Sequence, residues 1–356
     1  MKTFLGNNVE EVFQIALMSL REKNETVKVK SRNGDVLMFP DPVCSTYKYP
    51  NQRVLFMAER NCNPFFHFIE GLWMLAGRRD VKPLARFVKR MEEYSDDGHS
   101  LYGAYGYRWR NQFANDQLHA IIRKLQENPY DRRIVLSMWD PIKDLYYDGK
   151  DVPCNTQIYF KARPFFHTPK STEDVLDMTV MCRSNDLIWG AYGANAVHFS
   201  MLHEYVASMS GLRLGRYHQV SNNAHVYINI WERLEKKLPI GIAPSQYNNE
   251  IKPLPLVQDG SKFDQDVKWF FNLIVDKENN EQLGGMWITP DHFANTNTFA
   301  HTALPMVEAW NFYKNKEFDH AISQASTIQA PDWRKACIEW LERRKQSYDK
   351  KGKNKR

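Results

Sequence analysis

Long apolar runs are missing from this chain. No stretch of its 356 residues approaches the ~18 consecutive apolar residues that span a bilayer, which argues against a transmembrane helix. Residues 1–10 have no apolar core behind a basic flank, so they do not read as a signal peptide, and a cytoplasmic location is expected. Cysteine is scarce. Cys44, Cys62, Cys154, Cys182 and Cys337 are scattered, odd in number and without CxxC or Cys/His metal spacing. That pattern argues against a disulfide framework and a zinc site, and for a reducing compartment; no metal is expected. There is no Walker loop, no GxGxxG fingerprint and no internal repeat. A large charge imbalance is absent too. The net charge is +6, and residues 343–356 hold eight Lys or Arg against one acid, Asp349. The rest is near neutral, so nucleic acid is not a required partner, while phosphate-sized anions fit. What is present is an aromatic content of 13% and a hydrophobic fraction of 43%, enough for a sizeable core.

The stretch 151–157, Asp-Val-Pro-Cys-Asn-Thr-Gln, lies between two short runs rich in β-branched and aromatic residues, 134–139 and 158–160. Both read as strands, which puts Cys154 near the edge of a sheet. A thiol there is a nucleophile if a cation lowers its pKa, and Arg132 and Arg133 precede it as candidates. A cysteine taken alone is more often a buried core residue. Residues 9–21 read as a helix, and 27–29 with 36–39 as a hairpin around an Asn-Gly turn on which Arg32 faces either an anion or water. Residues 65–75 form a strongly apolar helical stretch carrying Glu70. A carboxylate buried there must be paired or functional, unless it faces water at the helix end. The segment 101–110, with Tyr105, suits either ring stacking or packed surface structure. An amphipathic helix is expected over 117–127. Arg132 and Arg133 at the next strand read as a phosphate clamp or as solvated charge.

Residues 175–181 read as a strand ending in Arg183 and Ser184, a second phosphate grip. A Gly-containing loop at 191–194 precedes a helix over 195–209, opened by Asn195, itself a good N-cap type. Residues 217–227 read as a strand on which His225 and Tyr227 share a face. A helix over 228–238 follows, then Pro- and Asn-rich loop to 260, and helices over 263–277, 303–314 and 332–348.

Together these pieces resemble the thymidylate synthase superfamily, over roughly residues 29–238. The resemblance implies an α/β (α+β) fold with a mixed twisted sheet flanked by helices. It divides the chain into a catalytic domain, 1–257, and a helical C-terminal extension, 258–356, ending in a basic tail. The nucleophile motif corresponds to Pro153-Cys154-Asn155, and the helix with its catalytic glutamate to Phe66–Trp73, which places Glu70. Tyr105–Arg110 matches the Tyr-Gly-x-x-Trp-Arg segment, and Tyr105 joins the catalytic set. Arg132 and Arg133 match the pair lent across a homodimer interface. Arg183, Ser184 and Asp186 match the phosphate and cofactor motif, Asn195 the pyrimidine reader, and His225 with Tyr227 the grip on the sugar hydroxyl. Arg32 and Gln157 complete the expected substrate-binding set.

The implied chemistry is addition of the Cys154 thiolate to C6 of a pyrimidine nucleoside monophosphate. C5 then takes the methylene carbon of the co-substrate 5,10-methylenetetrahydrofolate, with Glu70 serving proton transfer. Departures from the family pattern point to the product. Met91 and Tyr94 stand where thymidylate synthases carry a tryptophan pair against the folate. Asn155 replaces the histidine after the nucleophile, residues 163–174 are an insertion, and about a hundred helical residues replace the short closing C-terminus. Hydride transfer needs a closed, dry site; water entering instead yields a hydroxymethyl group. The expected activity is therefore a pyrimidine deoxynucleotide 5-hydroxymethyltransferase of the kind known in phages. dUMP is favoured over dCMP, because cytosine-specific relatives carry an acid at the position of Asn195. The alternatives are a thymidylate synthase and a catalytically silent nucleotide- or nucleic-acid-binding homologue.

Overall fold

The computed structural model describes residues 1–165, 174–238, 241–247, 251–272 and 290–353. Val12, Phe13, Ala16 and Leu20 recur at helical spacing and are buried along α1 (Val9–Arg21), which follows β1 (Lys2–Gly6) and is capped by the Asn8 side chain. The expected hairpin is β2 (Val27–Ser31) and β3 (Gly34–Met38). Its two-residue turn is Arg32-Asn33 rather than Asn-Gly. Ser31 pairs with Gly34, whose φ of 123° suits glycine. After β4 (Val43–Tyr47) comes α2 (Pro64–Leu75), opened by Pro64, capped by Asn63 and buried almost throughout. The short α3 (Lys82–Ala85) leads towards α4 (Tyr105–Arg110). Gly106 lets α4 close on the end of α2, since a Cβ there would meet the Met74 carbonyl oxygen at 2.0 Å. α5 (Gln117–Glu127) buries Leu118, Ile121, Ile122 and Leu125 under an Asp116 cap.

β5 (Val135–Ser137), β6 (Asn155–Pro164) and β7 (Asp174–Cys182) run antiparallel in turn. The insertion expected over 163–174 is therefore strand at both ends, and residues 166–173 lie outside the described residues. β8 (Asn185–Asp186) continues into a π-helical stretch, Leu187–Ala194, where a loop was expected, and then into α6 (Asn195–Met209). The segment 217–227 is two strands, β9 (Arg213–Ser221) and β10 (Ala224–Tyr227), broken at Asn222 and Asn223; α7 (Ile228–Glu235) follows. The strands assemble into a mixed six-stranded sheet, β1-β4-β9-β7-β6-β5, and a four-stranded sheet, β2-β3-β10-β8. Val135, Tyr159, Thr179 and His218 stand side by side on the outer face of the larger sheet, and Val135 and Tyr159 are exposed there. Leu136, Ile158 and Val180 fill the inner face, beneath α6.

The C-terminal region contributes α8 (Gly260–Phe270), α9 (Leu304–Lys314), α10 (Phe318–Ser326) and α11 (Pro331–Lys353). Residues 273–277 of the helix expected over 263–277 lie outside the described residues, and α10 was not anticipated. Of these, α8, α9 and α11 lie against α2, and α10 packs on α9 and α11. The Phe65 ring is 5.6 Å from Trp310 and 5.8 Å from Trp340, and Phe68 meets Trp333 edge-on at 5.0 Å. Burying side chains of this size contributes roughly 2–3 kcal/mol each. Arg110 ties α4 to α8, 2.8 Å from Asp264 and 3.0 Å from the Tyr205 hydroxyl. A single cluster of buried apolar side chains runs from α1 through α2 and α6 to α11.

Candidate active site

Cys154 is half-buried, one residue before β6. Two groups fix the loop that carries it. The Tyr105 hydroxyl accepts from the backbone N–H of Cys154 at 3.2 Å and of Asn155 at 3.3 Å. Arg183 donates its backbone N–H to the Cys154 carbonyl at 2.9 Å, its Nε to the Pro153 carbonyl at 2.9 Å and Nη2 to the Val152 carbonyl at 3.2 Å. The same Nη2 lies 3.9 Å from Cys154 Sγ. Burial pushes the Cys154 thiol above its ordinary pKa, Arg183 pulls it down, Asp151 pushes it up and Arg32 pulls it down. The cations that act on this thiol are thus Arg183 and Arg32. Arg132 and Arg133, the candidates suggested by chain order, are exposed, and Arg133 is spent on Asp131 at 2.9 Å.

The segment 101–110 is mostly structural. Arg108 and Trp109 are buried, and Arg108 holds Asp144 through both guanidinium nitrogens at 2.7 and 2.9 Å. Tyr102 stacks on Tyr147 with ring centres 3.6 Å apart. That rigid frame aims the Tyr105 hydroxyl at the nucleophile loop. Burial holds the Tyr105 phenol well above its usual range, so it stays protonated.

Glu70 does not face water. It is 6% exposed, and its Oε2 lies 2.7 Å from His198 Nε2 on α6. It also acts on Asp151, three residues before Cys154, which keeps it within the electrostatic reach of the nucleophile loop. Asn195 does not cap the start of α6. Its own backbone is helical, and its Nδ2 donates to Asn185 Oδ1 at 3.2 Å while Asn185 Nδ2 donates to Ser221 Oγ at 3.0 Å. This chain orients the Asn195 amide, leaving its carbonyl and one N–H for another partner. Asp186 caps the π-helical stretch by accepting from Ile188 and Trp189 N–H, and burial raises its pKa. It pairs in register with His225, whose Nδ1 lies 2.9 Å from Asn223 Oδ1 and whose ring meets Tyr227 at 5.6 Å and 88°.

The structure gathers Cys154, Tyr105, Arg183 and Arg32 around one loop, joins Glu70 to α6, and sets Asp186, His225 and Tyr227 on the adjoining small sheet. Ser184 is half-buried in the turn between β7 and β8. Gln157, on β6 just past a bulge, is exposed, and its Oε1 accepts from the Tyr159 hydroxyl at 2.6 Å. Sequence reasoning did not place Asn185, His198 or Asn155 in their present roles. Asn155 is fully buried with neither amide atom hydrogen-bonded among the described residues. No cluster of potential metal ligands occurs among the described residues.

The thymidylate synthase family model matches residues 27–247. The chain belongs to the thymidylate synthase family. A relative named deoxyuridylate hydroxymethyltransferase, from Pseudomonas phage M6, is 43% identical over 98% of this chain and 96% of its own length. Another of the same name, from Bacillus phage SP01, is 32% identical over 73% of this chain and 67% of its own. The crystal structure of thymidylate synthase from T4 phage covers 75% of this chain and 93% of that chain, with a TM-score of 0.52 at 20% identity, a likeness of fold. The matched span of the thymidylate synthase family holds Cys154, Glu70, Arg183, Asn195 and His225, and stops before α8, α9, α10 and α11.

Proposed function

We propose that this protein is a pyrimidine deoxynucleotide 5-hydroxymethyltransferase acting on dUMP, with 5,10-methylenetetrahydrofolate as co-substrate. The observation that carries the reading is the oriented amide of Asn195 on the helix that meets Glu70, together with a half-buried thiol that the Arg183 guanidinium approaches to 3.9 Å. Uracil offers an accepting O4 and a donating N3–H, the complement of one free N–H and one free carbonyl. Cytosine reverses both. In the proposed reaction the Cys154 thiolate adds to C6, C5 takes the methylene carbon, and the C5 proton leaves with the help of Glu70. Departure of tetrahydrofolate leaves an exocyclic methylene, to which water adds before Cys154 is expelled.

Water rather than hydride is favoured by the residues at the positions where thymidylate synthases carry a tryptophan pair against the folate. Here they are Met91, half-buried, and Tyr94, 40% exposed. The names of the two phage relatives support the same choice. We further read the protein as a homodimer. The outer face of the six-stranded sheet presents Val135 and Tyr159, and Arg132 and Arg133 just before its edge strand β5 are exposed. In the dimer they would complete the partner's phosphate site, alongside Arg32, Arg183 and Ser184. We place the catalytic domain at 1–257 and assign 258–356 the task of bracing α2, the helix that carries Glu70.

A spectroscopic assay tests the reading. Turnover of dUMP should produce tetrahydrofolate without the absorbance of dihydrofolate, whereas a thymidylate synthase would accumulate dihydrofolate. A silent homologue would release no tritium from C5-labelled dUMP.

A further inference from the structure

The helix face that carries Asn195 bears one more polar group, and the scheme above leaves it unused. His198 lies one turn further along α6, between Val197 and Phe199, and is 3% exposed. Its Nε2 meets Glu70, while its Nδ1 is buried and has no hydrogen-bond partner among the described residues. Leaving a buried polar atom unpaired costs about 1–3 kcal/mol, so an orphan of this kind asks for a partner that arrives with substrate. Its neighbour His67 is neutral, pushed down to about 3 by burial, by Arg60 and by His198.

The pairing decides which nitrogen is free to act. A carboxylate facing Nε2 takes a donor, so the ring proton sits on Nε2 and Nδ1 keeps its lone pair. Carboxylate, imidazole and oxygen in series is the arrangement that makes a serine hydroxyl nucleophilic in hydrolases. There the acid holds the tautomer and stabilises the imidazolium.

We propose that His198 is the base that activates the water added to the exocyclic methylene, with Glu70 as the residue that orients it. This rests on the hydroxymethyltransferase reading. The water oxygen bonds to the methylene carbon as its proton passes to His198 Nδ1. The C=C pair shifts onto the C4 carbonyl as an enolate. Its return re-forms C5=C6 and breaks the C6–S bond, releasing the Cys154 thiolate. Nothing is oxidised or reduced, because tetrahydrofolate has already left.

His198→Gln and His198→Asn test the assignment, each assayed for tritium release from C5-labelled dUMP and for hydroxymethyl product. 2-Mercaptoethanol is supplied as a substitute nucleophile for the methylene. A general base contributes about 10²–10⁴-fold. Hydroxymethyl product should therefore fall about 100-fold or more, while tritium release in the presence of thiol falls less than about tenfold and a 5-thioether appears. Equal loss of tritium release and product in both variants would reduce His198 to a structural role and overturn the proposal, as would full retention of product. A wild-type enzyme that forms dTMP and dihydrofolate would overturn the underlying reading instead, before any variant is compared.

Discussion

Replacing Arg183 by Gln should leave less of Cys154 as the reactive thiolate at neutral pH. The guanidinium Nη2 sits 3.9 Å from the sulfur. Two unit charges at that distance interact by about 4 kcal/mol at an effective dielectric of about 20, and by about 1 kcal/mol in bulk water. Arg183 is exposed, so the lower part of that range applies, about 1–2 kcal/mol. The sign follows from the thiolate being the reactive form. Burial already raises this thiol, and removing the cation raises it further. The pH at which reactivity rises moves up, and at a fixed pH below both values the rate falls by about threefold or more, because the smaller thiolate fraction outweighs the higher reactivity of a more basic thiolate. Arg183→Lys separates charge from positioning. It keeps a cation near the sulfur but loses the fork that holds the Pro153 and Val152 carbonyls. The assay is alkylation of Cys154 across pH, followed by peptide mass spectrometry so that the other four cysteines do not contribute. Gln and wild type sharing one pH profile would refute the argument, and so would a Lys variant shifted as far as the Gln variant.

Asn195→Asp should lower kcat/KM for dUMP by about 100-fold or more while favouring dCMP in relative terms, because the lost N–H leaves O4 unpaired; equal losses on both nucleotides would mark Asn195 as scaffold. Mixed dimers of Cys154→Ser with Arg133→Ala should recover part of the activity that each parent lacks, measured on isolated heterodimers; none recovered would refute the shared site. Trp340→Ala removes a fully packed ring from between Phe65 and Tyr313 and should cost about 3–5 kcal/mol in a denaturation experiment, whereas an unchanged midpoint would detach α11 from the α2 core.

How much of this was legible depended on whether a signal was local. α1 and α5 begin and end where apolar periodicity puts them, and the structure adds the Asn8 and Asp116 caps. The motif residues around Cys154 are likewise local, carried by chain order and resemblance. The π-helical stretch before α6 was not legible, because its extra residue per turn leaves no mark on an apolar run. α10 was missed because it buries only two small side chains, Ala321 and Ala325. His198 was hidden for a different reason. α6 is buried on nearly every side, so a histidine between Val197 and Phe199 looks like core, and its partner Glu70 lies 128 residues away. The bulge between Asn155 and Gln157 was not legible either, because it changes which face Gln157 takes without altering the residue pattern.

The most direct test of the central claim is the mass of the product formed from dUMP and methylenetetrahydrofolate in water enriched with oxygen-18. Addition of water to the methylene predicts 5-hydroxymethyl-dUMP carrying one heavy oxygen in its new hydroxyl, together with tetrahydrofolate. A product with the mass of dTMP, or a hydroxymethyl group without label, would contradict the account.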